Sequence, residues 1–137
     1  MKVAIIDDET RARKSIVDIL KFHSLDIVVV AEADCVKTGI EAVKKHKPDI
    51  VLLDIDMPDG TGFDLLKALS YIDFKIIFIT AYEEYAVRAF EFSAIDYILK
   101  PVDPKKLHDA ISKVQHIVEK ENINLKLNAL FANLDNI

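Results

Sequence analysis

A chain of 137 residues with 51% hydrophobic and 30% charged content is one ordinary globular domain, which excludes a disordered or fibrous chain. Its net charge of −5 argues against a broad nucleic-acid footprint on this chain. The single cysteine, Cys35, excludes an internal disulfide and fits an inert thiol in a reducing, cytoplasmic setting. No apolar run approaches the roughly 20 residues that span a bilayer, and MKVAIIDD lacks a signal-peptide pattern.

In chain order, strand and helix signals alternate five times. KVAII (2–6) predicts the first strand, and Thr10–His23 a helix with Ala12, Ile16, Ile19 and Leu20 on one stripe. DIVVVAE (26–32) predicts the second strand, and Val36–His46 a helix striped by Val36, Ile40 and Val43. DIVLL (49–53) is followed by a short helix, Phe63–Leu69, with Phe63, Leu66 and Leu69 inward. KIIFI (75–79) precedes a helix over Glu83–Phe92 that groups Ala86, Val87 and Phe90. AIDYIL (94–99) leads to a helix from Pro104 to about Lys120 striped by Leu107, Ile111, Val114 and Val118. Asp26 and Asp49, at strand starts, are expected to be solvated loop residues. Runs apolar on both faces suit buried parallel strands, and a βα repeat predicts a parallel sheet with helices on both sides.

The remainder, Glu121–Ile137, is rich in asparagine and spaces Ile123, Leu127, Leu130, Leu134 and Ile137 by four, three, four and three. That spacing allows a helical extension packed on its own domain, or a dimerising or domain-connecting helix.

Five polar residues stand at the carboxyl ends of these runs: Asp7, Asp8, Asp54, Thr80 and Lys100. Open α/β sheets bind ligands along that rim. Three carboxylates facing one lysine cannot all ionise comfortably, so a divalent cation is expected between them, and Mg²⁺ suits carboxylate plus phosphate oxygens. Asp54 is the best nucleophile, since a carboxylate can hold a phosphoryl group as an acyl phosphate. Lys100 offers a fixed positive charge and Thr80 a hydroxyl.

The motifs IIDDE (5–9), VLLDIDMPDGTG (51–62), FITAY (78–82) and DYILKP (96–101) together resemble the receiver domain of two-component response regulators over residues 1–119. The resemblance implies a flavodoxin-like, doubly wound, five-stranded parallel sheet of order 2-1-3-4-5 flanked by five helices. It also implies that Asp54 accepts phosphate from a histidine kinase. Asp7, Asp8, Asp54 and the backbone carbonyl of Asp56 are then the Mg²⁺ ligands, and Thr80 and Lys100 contact the phosphoryl group. Thr80 and Tyr97 become the switch pair, the Lys100–Pro101 bond is cis, and phosphorylation drives homodimerisation. Asp56 and Tyr82 would tune phosphate lifetime. Such a domain is a phosphoacceptor that assists its own phosphorylation and dephosphorylation, not an enzyme with a free substrate.

TAYEEYAVRAFEFSAIDYILKP (80–101) is similar to receivers joined to LytTR-type DNA-binding domains. Residues 120–137 are then an extension or linker toward an output domain, and the chain an excised receiver in preference to a single-domain regulator. Two rivals share features. A haloacid-dehalogenase-like phosphatase also uses Asp, Thr, Lys and an acidic pair, but places the pair last and wants Thr or Val where Pro58 stands. A phosphorylation-independent receiver-like module usually lacks one of the five polar residues that this chain keeps.

Overall fold

The computed structural model describes residues 1–22 and 26–135. Five strands form one parallel sheet: β1 (Lys2–Ile6), β2 (Val28–Ala33), β3 (Ile50–Leu53), β6 (Lys75–Thr80) and β7 (Asp96–Leu99). Their order is β2-β1-β3-β6-β7, the expected 2-1-3-4-5 arrangement once a small antiparallel hairpin, β4 (Asp56–Met57) and β5 (Gly60–Thr61), is numbered in chain order. The helices are α1 (Thr10–Lys21), α2 (Val36–His46), α3 (Gly62–Ala68), α4 (Ala86–Glu91) and α5 (Pro104–Asp135).

The doubly apolar runs follow from burial on both faces. Val3, Ile5, Ile50, Leu52, Ile77 and Ile79 point to one core, which includes Ile16 and Leu20 of α1 and Leu107, Ile111 and Val114 of α5. Their neighbours Ala4, Ile6, Val51, Leu53, Ile76 and Phe78 point to the other, with Val43 of α2 and Phe63 and Leu66 of α3. Alternate side chains thus serve opposite layers, as the two-residue period of a strand requires.

Several boundaries differ from the expected ones. β2 starts at Val28, because its first partner on β1 is Lys2; Asp26 lies opposite the chain start, where the Met1 ammonium donates to its carbonyl at 2.6 Å. β7 starts at Asp96, which pairs with Ile77. His23 and Ile137 lie outside the described residues. α3 begins one residue early, where Thr61 and Asp64 form a capping box. Helix α4 is only six residues long and buries Ala89; of the grouped Ala86, Val87 and Phe90, Ala86 is half-buried while Val87 and Phe90 are exposed. Phe92, beyond its end, packs on the core instead. Asp49 is half-buried and bound, its carboxylate accepting the Lys2 N–H at 2.7 Å, in place of a purely solvated role. Helix α5 does not stop near Lys120 but runs unbroken to Asp135, no glycine or proline standing after Pro104 to end it. Past Glu121 it is exposed, so it does not pack on its own domain.

Cys35 caps α2, its Sγ accepting the Thr38 N–H at 3.5 Å. A second cap reaches across from the hairpin turn, where Asp59 accepts the N–H groups of Val36 at 2.8 Å and Lys37 at 3.0 Å. These donors hold the Asp59 carboxyl below its usual value. A depressed pKa stabilises the fold while the group is ionised. Asp59→Ala should therefore lower the melting temperature by a few degrees at neutral pH. The gap between the two proteins should narrow as pH falls below the ordinary aspartate value of 3.8. A gap independent of pH would show that Asp59 does not act through its charge.

Candidate functional site

Three of the five polar rim residues, Asp7, Asp54 and Lys100, are placed by one extra rung of backbone pairing beyond a strand. The Asp7 N–H donates to Ala33 O at 3.0 Å, the Asp54 N–H to Ile6 O at 2.9 Å and the Lys100 N–H to Thr80 O at 2.8 Å. Arg13 of α1 reinforces the first, its guanidinium donating to Asp7 O at 2.6 Å. The Lys100–Pro101 peptide is cis.

Asp54 is 4% exposed. Its Oδ1 accepts the Ile55 N–H at 2.7 Å and its Oδ2 the Lys100 ammonium at 2.9 Å. Lys100 Nζ also lies 2.8 Å from Asp7 Oδ2 and 2.9 Å from Glu9 Oε1. Asp7 Oδ2 is buried, with the Lys100 ammonium beside it as its counter-charge. The other Asp7 oxygen accepts the Glu9 N–H at 2.9 Å. Carboxylate oxygens of Asp7, Asp8, Glu9 and Asp54 all lie within 4.8 Å of one another. Such a crowd of acids, with a buried lone pair left over, is the donor set that a hard divalent cation takes.

The protonation balance shows the same crowding. Burial raises the Asp7 carboxyl above its usual value, more than the Lys100 contact lowers it. Asp8 is raised by burial and then by the Asp54 charge. Burial opposes the charge on Lys100, but its contacts with Asp7, Asp54 and Glu9 outweigh that and hold its pKa above the ordinary value.

Of the sequence-predicted residues, Asp7, Asp8, Asp54 and Lys100 converge. Thr80 is fully buried at the end of β6 and its hydroxyl accepts the Tyr82 N–H at 3.4 Å, not a group of the acidic cluster. The Asp56 side chain lies outside the cluster and accepts the Tyr82 hydroxyl at 3.2 Å. Tyr97 is half-buried, its ring 6.2 Å from Phe78, and its hydroxyl donates to the Tyr82 carbonyl. Burial holds the Tyr97 phenol above its usual pKa. Glu9 and Arg13 were not anticipated as site residues. Glu9 closes the IIDDE motif, and that third acid was its signal; nothing in the sequence marked Arg13.

Gly62 fixes the floor. A Cβ there would stand 2.4 Å from the Asp54 carbonyl oxygen, and its N–H donates to Ile55 O at 2.8 Å. Only a residue without a side chain lets α3 start this close to the acidic strand end.

Comparison with known proteins agrees with this geometry. Residues 3–112 match the family model described as the response regulator receiver domain. The chain is 40% identical over 115 residues to the sensory transduction protein LytT of Bacillus anthracis, covering 82% of this chain and 46% of that protein. It is 38% identical over 126 residues to the transcriptional regulatory protein BtsR of Escherichia coli strain K12, covering 91% and 52%. The chain thus spans about half the length of the curated relatives it matches. Among solved structures, the response regulatory domain of mrkE from Klebsiella pneumoniae aligns with a TM-score of 0.79 at 33% identity, covering 88% of this chain and 99% of that one. A CheY-like receiver domain from Methanospirillum hungatei JF-1 aligns with a TM-score of 0.75 at 31% identity, covering 88% and 97%. On fold, rim and motif order together, the chain belongs to the response regulator receiver domain family of two-component systems.

Proposed function

We propose that Asp54 accepts a phosphoryl group from the phosphohistidine of a sensor histidine kinase in the cytoplasm, and that this modification controls a LytTR-type DNA-binding output. The observation that carries the reading is the isolation of Asp54: a buried carboxylate held at one oxygen by the Ile55 N–H and at the other by Lys100, beside three further acids. The phosphorus–nitrogen bond to the donor imidazole breaks, its electron pair returns to the ring nitrogen, and a phosphorus–oxygen bond forms to an Asp54 carboxylate oxygen. Lys100 lies on Asp54 Oδ2 and is placed to meet the incoming phosphoryl oxygens.

Asp7, Asp8 and Asp54, with the backbone carbonyl of Asp56, would hold Mg²⁺. The cation supplies charge neutralisation for the phosphoryl oxygens. The buried Asp7 Oδ2, with a lone pair beyond its contact to Lys100, fits that demand. Glu9 adds a third carboxylate to Lys100 on the solvent side, so the ammonium keeps a partner there if the ion draws on Asp7 and Asp54.

The switch reading draws on one segment. Thr80 accepts the Tyr82 N–H while Tyr97 donates to the Tyr82 carbonyl, so the two residues hold Tyr82 through the peptide before it and the peptide after it. A phosphoryl group that recruits the Thr80 hydroxyl removes one grip and biases the other. The changed face then favours a homodimer.

Acetyl phosphate with Mg²⁺ should add one phosphoryl group to the intact mass, and EDTA or Asp54→Asn should abolish the gain. Equal labelling of the Asp54→Asn protein would sink the assignment, while steady turnover of free phosphate esters would favour a phosphatase. A second expectation concerns the shared carboxylates. Lys100→Met should destabilise the metal-free protein by about 2 kcal/mol in urea unfolding, less than a fully buried pair because Asp8 and Glu9 are open to water. Millimolar Mg²⁺ should recover more stability in the variant than in the wild type. Equal Mg²⁺ effects on both would mean that ion and ammonium do not compete for the same oxygens.

A further inference from the structure

The far half of α5 exposes a face that cannot turn back on its own domain. Lys75 and Glu121, 2.7 Å apart, tie the helix to the first residue of β6. From Glu121 to Leu134 every residue is exposed, and Lys126 is the single charged side chain between 122 and 134. Ile123, Leu127, Leu130 and Leu134 are 57%, 44%, 53% and 54% exposed. A protruding helix this short is marginal in water without a covering partner.

Phase decides where the partner lies. The half of α5 against the sheet points Leu107, Ile111, Val114 and Val118 inward. At about 100° per residue, Leu125 keeps the phase of that stripe but is 66% exposed, past the packed part of the helix, whereas positions 123, 127, 130 and 134 fall roughly 120–180° away from Val118. The apolar seam is therefore turned off its own receiver. Its four-three-four spacing is the a/d repeat of a helix that packs against another helix, and it begins only after the domain-facing stripe ends.

We infer that residues 123–134 pair with the same segment of a second copy as a short parallel two-helix coiled coil, with the two receivers on its outer sides. In that register, Lys126 at a g position lies beside Phe131 at the following e position of the other helix, so its alkyl stem covers a ring that is 58% exposed. No like charges oppose each other along the seam. Covering it removes on the order of 1,000 Å² across both helices, just under the roughly 1,200–2,000 Å² of stable complexes. The pairing is accordingly weak and concentration-dependent. It rests on the helix and not on the chemistry at Asp54.

Sedimentation equilibrium of the 137-residue chain, without a phosphodonor, should show a monomer–dimer equilibrium. The Leu127→Asn/Leu130→Asn variant should weaken it at least ten-fold, whereas Leu125→Ser, equally apolar but off the seam, should leave it unchanged. In a Cys35→Ser background, Leu130→Cys should oxidise to a symmetric cross-link and Leu125→Cys should not. A chain that stays monomeric to about 1 mM, an equal loss with Leu125→Ser, or equal cross-linking at both positions would overturn the pairing, and the first would point to a segment beyond residue 137 as the occupant. The seam variant should keep the wild-type melting temperature and phosphoryl uptake, which separates failure of the pairing from failure of the acceptor assignment.

Discussion

Lys100 Nζ stands within 2.9 Å of carboxylates from Asp7, Glu9 and Asp54, and this shared ammonium is what allows the rim to exist. Gathering several acids at a strand end costs free energy in desolvation and mutual repulsion. The offsetting charge has to arrive from another strand, because the acids occupy the ends of β1 and β3. It comes from the far side of β6, one residue beyond β7. The long packed half of α5 fixes β7 in place through Leu107, Ile111 and Val114, so a rim interaction depends on a core contact. Glu9 closes the arrangement from solvent and Arg13 holds the Asp7 backbone.

An aromatic layer links this rim to the α4 face. Phe63 stacks 5.2 Å from Phe78 and 5.4 Å from Phe92, and Phe78 lies 6.2 Å from Tyr97. The Arg88 guanidinium covers the Phe63 ring at 4.3 Å. Tyr82 spans the other route, bonded to Asp56 through its hydroxyl and to Thr80 and Tyr97 through its backbone. A displacement at Tyr82 therefore meets both a hydrogen-bonded path and a packed one.

The strands were legible because burial on both faces leaves an uninterrupted apolar run, which few other structures demand. Their limits were not, since a strand ends where its neighbour ends: Val28 waits for Lys2, and Asp96 for Ile77. The hairpin at Asp56–Thr61 was invisible at two residues per strand. The buried residue of helix α4 was not legible, because four apolar positions in six residues, Ala86, Val87, Ala89 and Phe90, fit more than one phase. The convergence of Asp7, Asp8, Asp54 and Lys100 was readable from strand-end position alone. Glu9 was not, because a third acid after a pair usually faces water, and here Lys100 reaches out to it.

The unbroken α5 also acts as a ruler. At about 1.5 Å per residue its 32 residues extend roughly 48 Å, and nothing along it permits a bend. Each residue added past Glu121 would advance whatever is joined to the helix by about 1.5 Å and rotate it by about 100°. One extra residue would thus point an attached body at a different side of the receiver, while seven would return it to nearly the same azimuth. Between this domain and anything fused to it, helical phase, more than length, sets the orientation.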